Sequence, residues 1–153
     1  MPEFSAPPLG KRSNRVTIEI ETGENASGVL YALGGASGGV TVYLDNGQLV
    51  YEYNMLIIER TTVRSDEKLP PGQHQIEVSE AISKPGTPAN VVLKVDGHQV
   101  AKTTVKRTVP AAFTASETLD IGVDLGSPVS LDYHDRAPFK FDGKIQKVIV
   151  ELK

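Results

Sequence analysis

The chain has no cysteine and no tryptophan, and aromatic residues make up only 6% of its 153 residues. Without cysteine there are no disulfides, zinc-thiolate sites or thiol nucleophiles, and no disulfide framework argues for secretion. So few aromatics leave few rings on which a sugar could stack. Long apolar runs are missing too. No window approaches the roughly 18 consecutive apolar residues of a membrane-spanning helix, and the opening stretch MPEFSAPPLGKRSN lacks the apolar run of a signal peptide. As encoded, a soluble cytoplasmic product with no membrane partner is expected. There is no excess of basic charge either. The 16 basic and 19 acidic residues are interspersed and give a net charge of −3. With no basic block to neutralise a run of phosphates, nucleic acid is not an expected partner.

What the chain does have is glycine and proline, 14 and 10 residues, set between short runs of period two. That composition predicts many strands joined by tight turns. Gly34 to Asn54 spells out a complete hairpin. Asn46-Gly47 accepts positive φ at both central positions of a type I′ turn, which pairs Leu44 with Leu49, Val42 with Tyr51 and Val40 with Tyr53 on one face. Thr41 opposite Glu52 and Asp45 opposite Gln48 then form a second face, expected to be mostly wet. Asp96-Gly97 predicts another hairpin between Asn90–Val95 and His98–Val105, with Leu93 opposite Val100. Val16, Ile18 and Ile20 alternate with polar residues in a first strand. Further strands are predicted at 28–33, 57–64, 74–79, 119–123 and 144–152, and a long loop at 124–141. The first and last strands are expected to pair. A turn of helix is conceivable only near Pro110 to Ser116. Residues 1–13, rich in proline, are expected to be a flexible lead-in that covers no core, with one domain over 14–153. About ten strands without crossover helices predict an all-β fold, two antiparallel sheets stacked as a sandwich of jelly-roll type.

Several spaced blocks, GVLYALGGASGGVTVYLDNGQLVYEYN, ERTTVRSDEKLPPGQHQIEV, VVLKVDGHQV, KRTVPAAF and TLDIGVDLGSPVSLDYHDRAPFKFDGKIQKVIVEL, together resemble the carboxy-terminal β-sandwich of bacterial arylsulfatases. The resemblance covers Asn14 to Leu152. It implies a concanavalin A-like or laminin G-like jelly roll with two curved sheets. It does not imply sulfatase activity. The sulfatase signature, Cys or Ser followed by x-Pro-x-Arg, lies in a separate catalytic domain, and Ser5-Ala6-Pro7-Pro8-Leu9 has leucine where arginine is required. The carboxylates that would bind the sulfatase calcium belong to that domain as well. The resemblance therefore implies an accessory module without cofactor. Such a module would contact a saccharide, a sulfated ligand, a sulfatase-like partner, or a second copy of itself through edge strands. Periplasmic residence follows only by analogy with the family.

Two residue sets are candidate ligand contacts. Tyr43, Asn54, Glu59 and Arg60 combine a ring with hydrogen-bonding neighbours in the way sugar sites do, although the neighbouring Tyr51 and Tyr53 fall on the core face. Asp132, Tyr133 and His134, with Asp135 and the upstream Asp124, cluster in the long loop, where oxygen-rich side chains could gather. Their spacing matches no metal motif. His74 and His98 sit beside turns, on an expected surface. The alternative function is a small glucanase-like hydrolase using Glu19 and Glu21, or the loop acids. The Glu-x-Asp-x-x-Glu pattern of glucanases is absent, and the alternation puts Glu19 and Glu21 on a solvated strand face.

Overall fold

The computed structural model describes residues 2–113 and 118–153. Among them are ten strands: β1 (Asn14–Thr22), β2 (Gly28–Gly35), β3 (Gly38–Asp45), β4 (Gln48–Met55), β5 (Glu59–Arg64), β6 (Gly72–Ile82), β7 (Ala89–Val95), β8 (His98–Val105), β9 (Leu119–Ile121) and β10 (Lys144–Leu152). They form two antiparallel sheets of five strands, ordered β10-β1-β6-β7-β8 and β5-β4-β3-β2-β9. The fold is thus the expected two-layer sandwich. Its chain ends meet as β1 pairs with β10, Asn14 opposite Leu152.

Alternation does the sorting. In β1, Val16, Ile18 and Ile20 are buried between the layers, while Arg15, Thr17 and Glu19 turn outward. They meet Ile76, Val78 and Leu93 of the same sheet and Val40, Val42, Leu44, Leu49, Tyr51 and Tyr53 of the other in one core. The β3–β4 hairpin keeps the register counted outward from Asn46-Gly47, from Asp45 opposite Gln48 to Val40 opposite Tyr53.

Four expectations need correction. The second face of that hairpin is dry, because the long loop lies across it: Tyr43 and Val50 are fully buried and Glu52 is 3% exposed. In the β7–β8 hairpin Leu93 faces Ala101, since a bulge beside Lys94 inserts Val100 as an extra residue. The strand expected from Ile57 starts at Glu59, because Leu56 and Ile57 take positive φ (51° and 68°) in the turn before it. Residues before Asn14 do reach the core. Leu9 is 2% exposed within it, and the Gly10 amide donates to the buried Glu80 carboxylate at 2.8 Å. Proline content read as inability to pack missed these anchors, to which the buried Glu3 adds another by accepting from the Phe113 N–H at 2.8 Å. Up to Phe113 the Pro110 segment contains no helix, and the rest of that expected turn, 114–116, lies outside the described residues.

Candidate functional site

The two sheets differ in what their outer faces offer. Across β2, β3 and β4 runs a strap, residues 122–143, anchored to the strand backbones: the Val29 N–H donates to the Phe139 carbonyl at 2.8 Å, and the Ala36 N–H donates to the Ser127 side-chain Oγ at 2.9 Å. Glycines make room for it. A Cβ on Gly28 would stand 2.3 Å from the Phe141 Cα, and one on Gly39 would meet both the Leu33 carbonyl and the Val129 side chain of the strap. Beneath the strap Tyr43 packs edge-on against Tyr133, ring centroids 5.0 Å apart, and against Phe139 at 6.0 Å. Val29, Ala32, Val50 and Val129 complete a second apolar cluster.

Polar groups tie the strap down. Glu52 accepts from Ser130 Oγ at 2.6 Å and from Arg60 Nη1 at 2.8 Å, while the same arginine donates to the Val129 carbonyl. Tyr43 donates to Asp132 Oδ2 at 3.0 Å, and Tyr133 donates to the Asp124 carboxylate. Asp45 receives Arg136 at 3.1 Å and lies 3.5 Å from Arg64. Burial pushes the Tyr43 and Tyr133 phenols up, with neighbouring carboxylates adding to the effect. Burial also raises the Glu52 carboxyl against the pull of Ser130 and Arg60. Asp45 moves the other way, held down by its hydrogen bond from Arg136 against desolvation.

The residues singled out from sequence are thus partly gathered and partly scattered. Tyr43, Arg60, Asp132 and Tyr133 come together under or at the edge of the strap. Asn54 is buried beside them, bridging the Ala36 carbonyl and the Ile57 amide. Glu59 points elsewhere, in an ion pair with Arg107 at 2.7 Å, and His134 is exposed in a short 3-10 turn, His134–Arg136. The rings of Tyr43 and Tyr133 are fully buried between the strap and the sheet, while Asp132 and His134 are exposed. Among the described residues no group of three or more His, Asp or Glu is placed to hold a metal ion.

Among the described residues no strap crosses the other outer face, on β10-β1-β6-β7-β8. At one end of β1 and β6 that face holds an open hollow of about 300 Å³ lined by Glu19, Gln73, His74, Gln75, Asp96 and Gln146. Strand register explains the convergence: Glu19 sits opposite Gln75, and Glu21 opposite Gln73. A bulge in the β1–β10 pairing, where Glu19 faces Lys147 and Ile20 faces Ile145, leaves Gln146 as the extra residue turned to this rim. Asp96, from the β7–β8 turn, accepts from the Gln75 backbone N–H at 2.8 Å. His74 donates through Nε2 to the Pro70 carbonyl at 2.6 Å, and its Nδ1 lies 2.7 Å from Asp96 Oδ2. Desolvation would raise the Asp96 carboxyl, but the Gln75 amide and His74 outweigh it and hold it below its usual value. Gln73, Gln75 and Gln146 carry exposed amides, and Glu19 an outward carboxylate. The sequence reading missed these glutamines. The signal available was Gln73 and Gln75 at period two, on the face shared with Glu19 and Glu21.

No protein-family model and no curated protein matches the chain. Solved structures do. It is similar to the LG4-5 domains of the mouse laminin α1 chain, with a TM-score of 0.73 and 17% identity, over 100% of this chain and 38% of that one. It is similar to the CBM40 of a Ruminococcus gnavus IT-sialidase, solved bound to α2,3-sialyllactose, with a TM-score of 0.66 and 15% identity over 94% and 78% of the two chains. Sheep galectin-11, solved with glycerol, matches with a TM-score of 0.53 and 8% identity over 91% and 89%. At these identities the likeness is one of fold: the chain has the two-sheet architecture of laminin G-like and carbohydrate-binding-module jelly rolls.

Proposed function

We propose that the chain is a non-catalytic binding module that contacts a saccharide through the open outer face of the β10-β1-β6-β7-β8 sheet, with the hollow at Glu19, Gln75 and Gln146 as its centre. The observation that carries this reading is the contrast between the faces: one is sealed by residues 122–143, while the other leaves amides and carboxylates convergent and accessible. Side-chain amides both donate and accept, and carboxylates accept strongly, which is the complement of a ring of hydroxyl groups. The solved neighbours on this fold, one of them holding sialyllactose, support a binding role.

A binding role also fits where the raised carboxyl lies. Hydrolysis of a glycoside needs a raised acid facing a second carboxylate in a groove that admits substrate. The carboxyl that burial raises here is Glu52, closed under the strap and held by Arg60 and Ser130.

The test is a panel of soluble oligosaccharides measured for binding and, in parallel, for products. Binding without turnover is expected, lost in the double variant Gln73→Ala, Gln75→Ala and retained in Tyr43→Phe. Turnover of any panel member, or binding indifferent to both glutamines, contradicts the proposal. The arylsulfatase resemblance adds a partner reading, that this module works beside a separately made sulfatase domain. Co-purification of such a protein from the native host is the expected outcome, and its consistent absence removes that part.

A further inference from the structure

We infer that the hollow is gated by pH: His74 can hold both of its contacts only as an imidazolium, and loss of one proton frees the Pro70-Pro71 segment that leads Gln73 into the rim. The inference rests on the saccharide reading above and adds how that site is regulated. The ring lies on the same side of β6 as the buried Ile76 and Val78, and its side chain is only 8% exposed. Its Nε2 stands 2.6 Å from the Pro70 carbonyl oxygen and its Nδ1 2.7 Å from Asp96 Oδ2. A carbonyl oxygen has no proton to give. Nor has the Asp96 carboxylate: desolvation would raise it, but the Gln75 backbone N–H and His74 hold it below its usual value. Two acceptors at these distances need two N–H donors, and a neutral imidazole has one.

When the ring gives up a proton to solvent, its remaining N–H stays with the stronger acceptor, the Asp96 carboxylate. The Nε2 lone pair then faces the Pro70 oxygen at 2.6 Å, and the two must part. The Thr22 hydroxyl, 3.3 Å from the Pro70 oxygen and 3.2 Å from that of Gly72, is the weaker hold that remains. Gly72 serves as the pivot, at a φ of 133° and with nothing within 4 Å of where a Cβ would stand. Gln73, the next residue, lines the hollow. Other charged groups surround the ring. Glu19 and Glu21 lie on β1 opposite Gln75 and Gln73, facing Lys147 and Lys144 of β10, and His98 is exposed at the start of β8. Asp66, Glu67 and Lys68 sit on the loop before Pro70, with Lys68 donating to Asn25. Among the described residues it is Asp96 whose side chain hydrogen-bonds the ring. Both contacts are therefore complete in mild acid, and one is lost as pH rises through the range where histidine changes charge, between about pH 5 and 8.

The experiment follows the unliganded full chain by NMR from about pH 5 to about pH 9, with His98→Gln in every protein so that no second imidazole titrates beside Asp96. The account predicts that the Pro70 carbonyl carbon and the Gly72 and Gln73 amides shift in step with the His74 ring. In Asp96→Asn that step should vanish. There the side-chain amide can donate to Nδ1, so a neutral ring keeps its N–H for Pro70. The hairpin turn is retained, because Asn-Gly is the pair that turns β3 into β4, with φ of 50° and 89° against 52° and 84° at Asp96-Gly97. His74→Gln, with no ring to titrate, should abolish the step as well. Affinity for any oligosaccharide of the panel that binds should fall by at least about fivefold across the same range, and that ratio should flatten in Asp96→Asn whatever its absolute affinity. Amides at Gly72 and Gln73 that stay still while the ring titrates, or an undiminished step in either variant, overturn the inference. So does an affinity that is flat with pH, which leaves the binding role standing. If no oligosaccharide binds at any pH, the binding role falls and the gate with it.

Discussion

Ser130 in the strap donates to Glu52 on β4 at 2.6 Å, across a sheet face that strand alternation had assigned to water. The contact closes the loop onto the sheet and helps cover that face. A hydrogen bond to a charged acceptor in a buried setting contributes about 1.5–3 kcal/mol. Ser130→Ala should destabilise the fold by about that amount, since Glu52 keeps only Arg60 as a strong partner. Urea unfolding of the two proteins measures it. A loss under about 0.5 kcal/mol would mean that the strap is held by its rings and backbone alone.

The turn between β4 and β5 carries strain that its counterparts avoid. Asn46-Gly47 and Asp96-Gly97 supply positive φ from residues that tolerate it, whereas Leu56 and Ile57 adopt 51° and 68° with branched side chains, Ile57 at 63% exposure. The left-handed region costs such residues about 1–2 kcal/mol each. Glycine at position 57 would relieve that strain and give back part of the gain as unfolded-state entropy, roughly 0.5–1 kcal/mol. Ile57→Gly is therefore expected to stabilise the protein by about 0.5–1 kcal/mol, raising the melting temperature by roughly 1–4 °C. Thermal melts decide, and a lower melting temperature would show that the isoleucine makes contacts worth more than its backbone strain.

Acid should loosen the strap through Asp45. Its carboxyl is depressed below 3.8 in the folded state, through Arg136 foremost and Arg64 as well. A depressed carboxyl lends stability above its unfolded value, and that stability is lost as pH falls through the folded value. Asp45→Asn should be less stable than the parent at pH 6, and the two melting curves should converge below about pH 3.8. Curves that stay parallel down to pH 2 would contradict the assignment. The carboxylate is partly open to solvent, so the separation should also shrink with salt.

Much of the architecture was legible because it is local. Asn46-Gly47 set the register of seven residue pairs, and the alternation of Val16, Ile18 and Ile20 identified the buried side of β1. The closing strand and its pairing with the first were also readable, since both alternate. What could not be read is non-local. Nothing near Tyr43 or Glu52 says that a segment some 80 residues later will cover them. The two candidate sets, Tyr43 with Arg60 and Asp132 with Tyr133, were therefore found as residues, but that the strap brings them together was not. The hollow escaped for a related reason. It is assembled from β1, β6, β10 and the Asp96 turn, and Gln146 reaches it only through a bulge that the sequence of β10 does not announce.

The central claim is that one sheet face is sealed and the other is open for contact. Mapping amide chemical-shift changes during titration with an uncharged oligosaccharide from the panel tests it most directly. The account predicts changes at the backbone and side-chain amides of Gln73, Gln75 and Gln146 and along β1, with Asp132, Tyr133 and the rest of the strap unmoved. Changes concentrated at residues 124–141, with the glutamine signals still, would contradict it.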